Sequence, residues 1–211
     1  MRVPPDLDRE LMLAATGHSH VAGIDEAGRG ALAGPVVAAA VVLPLDRFDL
    51  ARALSEVRDS KQLSPAARQR CSQEVREVAV TVGIGEASAG EVDDLGLLPA
   101  TRAAMQRAVE ALDPLPSCLL IDHILIPELE IPQEPITRGD QSVLSIAAAS
   151  VVAKVWRDRL MVELDERYAG YGFRRHKGYG TEQHRQALAN LGPCPEHRRS
   201  YAPVQRALSA V

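Results

Sequence analysis

Two acidic residues stand side by side at the end of an apolar run, directly before a glycine-rich turn. The stretch reads VAGIDEAGRGALAGPVVAAAVV and places Asp25 and Glu26 just ahead of Gly28, Arg29 and Gly30. Charged side chains at the end of a buried strand cost free energy unless they are paired or bind cations. We therefore treat this stretch as a candidate catalytic site.

Other acids are expected to join this pair. Asp122 follows a short apolar run at residues 117–121, and ligand crevices in α/β sheets form at the carboxyl ends of strands. A long predicted helix carries Ser150, Lys154 and Asp158 at four-residue spacing, which places them near one face. An ordinary helical ion pair between Lys154 and Asp158 is the alternative to a site role.

Clustered carboxylates repel one another unless cations lie among them. Oxygen ligands without histidine or cysteine suit Mg²⁺ or Mn²⁺. Two such ions about 4 Å apart hold the attacking and leaving oxygens of a phosphodiester in line, as in nucleases and polymerases. The acids therefore predict a two-metal site, and the glycine turn predicts a close approach of backbone to a sugar-phosphate chain.

The charge is distributed unevenly along the 211 residues. Residues 174–211 hold seven basic and two acidic side chains, a charge of +5, which leaves −9 for residues 1–173 given the total of −4. A basic, histidine-bearing end on an acidic body favours contact with phosphates. A solvated basic face with no partner is the alternative.

A dinucleotide-binding fingerprint competes for the glycine turn. Gly28, Gly30 and Ala33 formally satisfy G-x-G-x-x-G/A after a strand. Two carboxylates directly before the turn would repel a pyrophosphate, and Pro35 followed by a run of valine and alanine favours a strand over the required helix. We reject this interpretation.

Composition indicates an ordinary globular protein, with 46% hydrophobic, 25% charged and 3% aromatic residues. Three widely spaced cysteines give neither a zinc motif nor a disulfide framework. No apolar run reaches the roughly 20 residues that span a bilayer. We expect a soluble, cytoplasmic monomer without a membrane partner.

Strands are predicted to alternate with helices in one α/β domain. A hairpin is predicted over residues 21–43. Asp59, Ser60 and Lys61 are predicted to be exposed after it, followed by a polar turn at residues 91–94 and an irregular segment at 123–139. Ser64 and Pro65 are typical of a helix start. The predicted strands are residues 21–25, 34–43, 80–86 and 117–121, and the predicted helices are residues 64–78, 99–112, 145–168, 181–191 and one from 203.

Five segments together resemble bacterial ribonuclease HII, the type 2 ribonuclease H family. They are GIDEAGRGALAGPVVAAAVVLP, DSKQLS, LLID, GDQSVLSIAAASVVAKVWRDRLM and HKGYGTEQHRQAL, in the order in which the family has them. The resemblance implies a ribonuclease H-like fold, a central mixed sheet flanked by helices with a small C-terminal helical part. It implies an N-terminal arm at 1–20, a catalytic domain at 21–170 and a basic helical segment at 171–211 packed on that domain.

The resemblance also implies an activity and assigns residues to it. The activity is endonucleolytic cleavage of RNA in RNA–DNA hybrids and at single ribonucleotides in duplex DNA, leaving 5′-phosphate and 3′-hydroxyl ends. A hybrid-binding module without catalysis is the alternative. The implied ligands of two Mg²⁺ or Mn²⁺ ions are Asp25, Glu26, Asp122 and Asp158, and the implied substrate contacts are Gly28, Arg29, Gly30, Ser150, Lys154, Lys177 and Tyr179.

One position departs from the family pattern. Many members have glycine after the third acid, where this chain has His123. A histidine pointing to solvent leaves the role of Asp122 intact, whereas one pointing inward would crowd the ions or carry protons near them. Both interpretations stay open at the level of sequence.

Overall fold

One mixed sheet of five strands forms the centre of the computed structural model, which describes residues 4–209. The strand order is β3-β2-β1-β4-β5. Strands β1 to β3 form an antiparallel meander, whereas β4 pairs parallel with β1 and β5 parallel with β4. The strands are β1 (Val21–Ala27), β2 (Val36–Val42), β3 (Thr81–Ala87), β4 (Cys118–Asp122) and β5 (Gln133–Ile136).

Helices cover both faces of the sheet and form the C-terminal part. Two 3₁₀ turns, Ser60–Gln62 and Gly139–Gln141, lie between the regular elements. Within residues 4–209 the helices are α1 (Asp8–Ala15), α2 (Leu50–Ala53), α3 (Pro65–Val78), α4 (Ala89–Leu95), α5 (Leu97–Glu110), α6 (Leu144–Arg167), α7 (Phe173–His176), α8 (Glu182–Leu191) and α9 (Ala202–Leu208).

The core has one layer on each side of the sheet. Helix α5 packs on one face, where Ala104, Met105 and Ala108 meet inward residues of β1 and β2. Helices α6 and α3 cover the other face. The first ten residues of α6 are all buried, so this helix is enclosed by protein on every side at the level of the sheet.

Gly23 sets the distance between α6 and β1. A Cβ atom at this position would lie 2.2 Å from the backbone carbon of Ser145, closer than any real contact. Only glycine therefore lets the helix approach the strand here. The close approach brings Ser150, further along α6, to the end of β1.

The predicted α/β architecture is confirmed, as are the hairpin and most of the helices. Helix α3 begins at Pro65, and the Ser64 hydroxyl accepts a hydrogen bond from Ala67 N–H at 3.2 Å. Helix α4 was predicted as a turn, and β5 lies in a segment predicted to be irregular. Asp59 and Ser60 are buried, because the Gln62 and Gln141 amides and the Ser150 hydroxyl pack around them.

No helix within residues 4–209 combines the length and the apolar character needed to cross a membrane.

Candidate active site

Three carboxylates from three separate segments meet at one edge of the sheet. Asp25 ends the buried part of β1, and Asp122 ends β4. The parallel register of these strands pairs Ile24 with Ile121, so the following acids are neighbours. The third is Asp140, in the 3₁₀ turn after β5. One oxygen of each aspartate lies within 4.8 Å of the others.

A backbone hydrogen bond fixes the third segment to the second. The Gly139 N–H donates to Asp122 Oδ1 at 2.8 Å. This contact holds the 3₁₀ turn against the end of β4 and places Asp140 beside Asp122. The sequence analysis did not single out Asp140, although it lies in the GDQS segment that resembles the family.

The cluster carries unfavourable negative charge. Burial, and then the carboxylates of Glu26 and Asp122, raise the pKa of Asp25 well above its usual range, although the Ser150 hydroxyl opposes this. Burial, and then Asp59 and Asp122, raise the pKa of Asp140. Such a site gains free energy when cations enter it.

Lys61 is the cation already present beside the cluster. Its Nζ lies 3.5 Å from Asp140 Oδ2, and its side chain is 80% exposed. Burial lowers the pKa of Lys61, but Asp140, Asp59 and Asp25 together raise it above the ordinary value. Lys61 was not among the predicted site residues. Its position in the DSKQLS segment, which resembles the family, could have indicated it.

Glu26 lies next to this cluster but outside the group of close oxygens. Its Oε1 accepts a hydrogen bond from Arg29 Nη1 at 3.3 Å. Among the described residues, neither Glu26 Oε2 nor Arg29 Nε has a hydrogen-bond partner, and both atoms are buried. Burial raises the pKa of Glu26, and Arg29 opposes this. Unpaired buried polar atoms are costly, so this edge of the site is suited to binding a ligand.

The structure does not bring Asp158 to the cluster. Its carboxylate is held by Arg68 Nη1 at 3.2 Å and by Lys154 Nζ. Ser150 lies beside Asp25, and eight residues of helix advance about 12 Å along the axis. Asp158 therefore lies about two helical turns beyond the acids. It forms the ion pair with Lys154 that the sequence analysis gave as the alternative to a role in the site.

The Gly28-Arg29-Gly30 turn is fixed from behind by buried side chains. Gly28 has φ +97°, and a Cβ there would lie 2.0 Å from Arg157 Nε. Arg198 Nη1 and Tyr201 Oη each donate to the Arg29 carbonyl at 2.8 Å. A Cβ at Gly30 would meet nothing within 4 Å, so this face of the turn is open.

Arg157 ties the turn to the segment that carries Tyr179. Its guanidinium is buried and donates to the carbonyls of Ala33, Pro35 and Lys177 at 2.9 to 3.1 Å. Burial lowers the pKa of Arg157 to about 10. The Tyr179 ring is 37% exposed and lies 5.4 Å from the Arg157 guanidinium carbon. The sequence analysis missed Arg157 and Arg198, since isolated arginines give no pattern.

The other predicted contacts differ in exposure. Ser150 is buried, and its Oγ lies 3.0 Å from Ser60 Oγ. It orients Asp25 and does not face solvent. Lys154 Nζ lies 5.7 Å from the centroid of the Tyr179 ring. Lys177 adopts a left-handed conformation, with φ +53°, and its ammonium group donates to the Arg174 carbonyl.

His123 is exposed to solvent, and its backbone has φ +66°. This left-handed conformation favours glycine, which is consistent with the glycine expected at this position from the resemblance. The solvent-facing interpretation of His123 is therefore the correct one.

Comparison with known proteins identifies the family. The family profile described as Ribonuclease HII matches residues 22–204. Ribonuclease HII from Synechococcus sp. (strain JA-3-3Ab) is 52% identical over 203 residues, which cover 96% of this chain and 90% of that protein. This chain belongs to the ribonuclease HII family.

Solved structures share the fold of this chain. The ribonuclease H2 from Pyrococcus horikoshii OT3 superposes with a TM-score of 0.75 at 23% identity, covering 90% of this chain and 97% of that one. Bst-RNase HIII in complex with Mn²⁺ gives a TM-score of 0.67 at 20% identity, covering 90% and 69%. The predicted ribonuclease H-like fold is confirmed.

Proposed function

We propose that this protein cleaves the RNA strand of RNA–DNA hybrids and cuts at single ribonucleotides in duplex DNA, leaving 5′-phosphate and 3′-hydroxyl ends. Membership of the ribonuclease HII family makes it a hydrolase of the ribonuclease H class. The observation that carries the proposal is the meeting of Asp25, Asp122 and Asp140 within 4.8 Å, at an edge where an exposed glycine turn can contact a nucleic acid.

The acids fit a site for divalent metal ions. We propose Asp25, Glu26, Asp122 and Asp140 as the ligands, with Asp140 in the place that sequence resemblance gave to Asp158. Their oxygen-only donor set suits Mg²⁺ or Mn²⁺, and Oε2 of Glu26 has no hydrogen-bond partner among residues 4–209, so both of its lone pairs remain for a cation. Two such ions supply activation of water and stabilisation of the leaving 3′-oxygen.

Surrounding groups hold three of the four acids in position. Gly139 N–H fixes Asp122, Arg29 fixes Glu26, and the Ser150 hydroxyl lies beside Asp25. Oriented ligands lose less entropy when ions and substrate bind. The buried Ser150 thus acts on Asp25, and the substrate contact predicted for it is reassigned to this orienting role.

The turn supplies selectivity for RNA. Gly28 is required by the protein itself, because any side chain there would collide with Arg157. A Cβ at Gly30 would meet nothing within 4 Å, so the backbone at this position is open to close approach by a ligand. The ribose 2′-hydroxyl distinguishes RNA from DNA locally, and we assign its recognition to this turn.

Tyr179 and two lysines continue the substrate path. The exposed Tyr179 ring packs on the deoxyribose that follows the ribonucleotide, and Arg157 and Lys154 hold it from the protein side. Lys154 and Lys177 then contact phosphates, which supply much of the affinity for nucleic acid.

A carboxyl-to-amide exchange tests the metal site. The substrate is a labelled duplex with one embedded ribonucleotide, incubated with and without Mg²⁺. We expect Asp140→Asn to lower turnover by orders of magnitude and to remove the rise in melting temperature that Mn²⁺ gives the parent protein. Asp94→Asn, an exposed aspartate on α4, is the matched control.

Two results would contradict the proposal. Near-parental cleavage by Asp140→Asn in Mg²⁺ would remove Asp140 from the site. A parent protein that binds the duplex but never cuts it would instead identify the catalytically silent hybrid-binding module.

A further inference from the structure

A cavity of about 500 Å³ lies beyond the acids, between α3 and α6. Five basic side chains and one carboxylate line it, a net charge of +4. They are Arg68, Lys154, Arg159, Arg175 and Lys177, with Asp158 among them. This surplus contrasts with the net negative charge of the whole chain, and a concave positive surface concentrates anions.

The inner wall is fixed in advance. Arg68 is only 12% exposed in its side chain and donates to the carbonyls of Ser60 and Leu63, each at 3.0 Å. Its remaining nitrogen donates to Asp158, as does Lys154. Burial, and the nearby Arg157 and Arg68, lower the pKa of Lys154, although Asp158 opposes this. The single carboxylate of Asp158 thus pairs with two partly buried cations.

The cations at the outer side of the cavity, Arg159, Arg175 and Lys177, are less fully paired with carboxylates. Among residues 4–209, no carboxylate pairs with Arg175 or Lys177, while the neighbouring Arg174 is bound by Asp165 and Glu166. Arg159 pairs only with the exposed Glu163, at 3.6 Å. Arg159 also lies over the Trp156 ring, with its guanidinium carbon 4.1 Å from the ring centroid. A purely structural network thus accounts for Arg68, Lys154, Asp158 and Arg159, but within residues 4–209 it gives no carboxylate partner to Arg175 or Lys177.

Helix geometry along α6 gives the distance between the cavity and the acids that are proposed to cleave the substrate. Helix rise puts Lys154 about 6 Å and Asp158 about 12 Å beyond Ser150, which lies beside Asp25. A duplex advances about 3.4 Å per nucleotide along each strand. The cavity therefore lies about two to four nucleotides from the acids along α6, on the side of the site where Tyr179 lies.

We propose that this cavity is a phosphate-binding site separate from the acids, which takes a backbone phosphate of the substrate duplex about two to four nucleotides from the cleaved bond. Asp158 is its internal counter-charge: it holds Arg68 and Lys154 in place and weakens their attraction for the phosphate. The inference rests on the proposed function, because it takes a nucleic-acid duplex as the ligand.

Salt-dependent binding tests the site without relying on catalysis. Dissociation constants are measured in EDTA over a range of NaCl concentrations, for a duplex with one ribonucleotide and long flanks. Arg175→Gln should lower the slope of log affinity against log salt by about 1 and weaken binding about twofold to fivefold. The matched control is Arg9→Gln, an exposed arginine on α1 that pairs with Glu134 outside the cavity.

Duplex length and a second variant sharpen the test. On a duplex that ends one nucleotide from the ribonucleotide on the side of Tyr179, parent and Arg175→Gln should bind equally. Asp158→Asn should bind the long duplex about twofold to fivefold more tightly than the parent, because it removes a negative charge from the cavity.

The failure of this site is distinguishable from failure of the proposed function. If the parent cuts the duplex but Arg175→Gln and Arg9→Gln share its salt slope, the phosphate site is refuted alone. Loss of turnover by orders of magnitude in a folded Asp158→Asn protein, with unchanged affinity, would also refute it. If the parent neither binds nor cuts, both proposals fail together.

Discussion

Acid is expected to destabilise the protein through a pair of buried histidines behind the substrate path. His184 and His197 are fully buried, with their Nε2 atoms 3.0 Å apart. His184 Nδ1 lies 3.0 Å from the Tyr179 carbonyl, so this nitrogen must carry the proton. His184 Nε2 therefore accepts from His197 Nε2–H, and His197 Nδ1 accepts from the Cys194 N–H at 3.0 Å.

Any added proton breaks this chain of hydrogen bonds. On His184 it would set two N–H groups against each other, and on His197 it would face the N–H of Cys194. The His176 ring, stacked on His184 with centroids 4.4 Å apart, gives no counter-charge. Burial, and the neighbouring histidines, lower the pKa of His184 and of His197 to about 4.

The magnitude follows from linkage. The unfolded chain takes up a proton on each histidine near pH 6.5, whereas the folded protein does so only near pH 4. Stability is therefore complete above pH 6.5 and is lost as the pH falls towards 4. One such histidine lowers the free energy of unfolding by about 2.5 kcal/mol between pH 7.5 and 4.5. Because the free energy of unfolding of a native protein is about 5–15 kcal/mol, this loss is large enough to measure.

Urea unfolding followed by circular dichroism measures this loss at pH 7.5, 6.0 and 4.5. His184→Gln should be less stable at pH 7.5 but should lose about 2.5 kcal/mol less than the parent on acidification. His123→Asn, which replaces an exposed histidine with a residue that tolerates positive φ, should behave like the parent. Equal losses in His184→Gln and the parent would refute the reasoning.

Three further substitutions test the packing and the substrate path. Gly23→Ala should lower the free energy of unfolding by about 3 kcal/mol or more, measured by urea unfolding, because its Cβ would lie 2.2 Å from the Ser145 backbone. Gly30→Ala should melt with the parent in calorimetry yet cut an embedded ribonucleotide at least about tenfold more slowly. Tyr179→Ala should weaken cleavage at a single ribonucleotide more than cleavage of a long hybrid. Equal losses on the two substrates would count against its role at the junction.

The sequence predicted those elements whose signals are local. Ser64 and Pro65 mark the start of α3 through capping chemistry that needs no tertiary contact. Helix α4 carries a similar signal that was overlooked, since Ser88 and Glu91 form a capping box. Strand β5 has no readable signal. It is an edge strand of four residues that includes Pro135, and only its pairing with β4 makes it a strand.

Several predictions concern properties beyond the fold. The division into arm, catalytic domain and basic C-terminal segment stays a prediction, as do the cytoplasmic location and the monomeric state. The structure does show how the C-terminal part contributes to the site, because Arg198 and Tyr201 both donate to the carbonyl of Arg29. A basic tail expected to bind phosphates thus also holds the glycine turn.

The acids show which contacts a sequence pattern can predict and which become visible only in the folded structure. Asp25 and Asp122 follow neighbouring parallel strands, so a strand pattern is enough to bring them together. Asp140 reaches them only because the chain folds back after β5 and Gly139 N–H binds Asp122, a contact without sequence periodicity. Helix geometry argues against Asp158 from the start. If Ser150 meets the acids, a residue eight positions later lies about 12 Å away, too far to bind the same ions. Asp158 instead pairs with Arg68 and Lys154, two cations of the cavity that we propose binds a more distant phosphate.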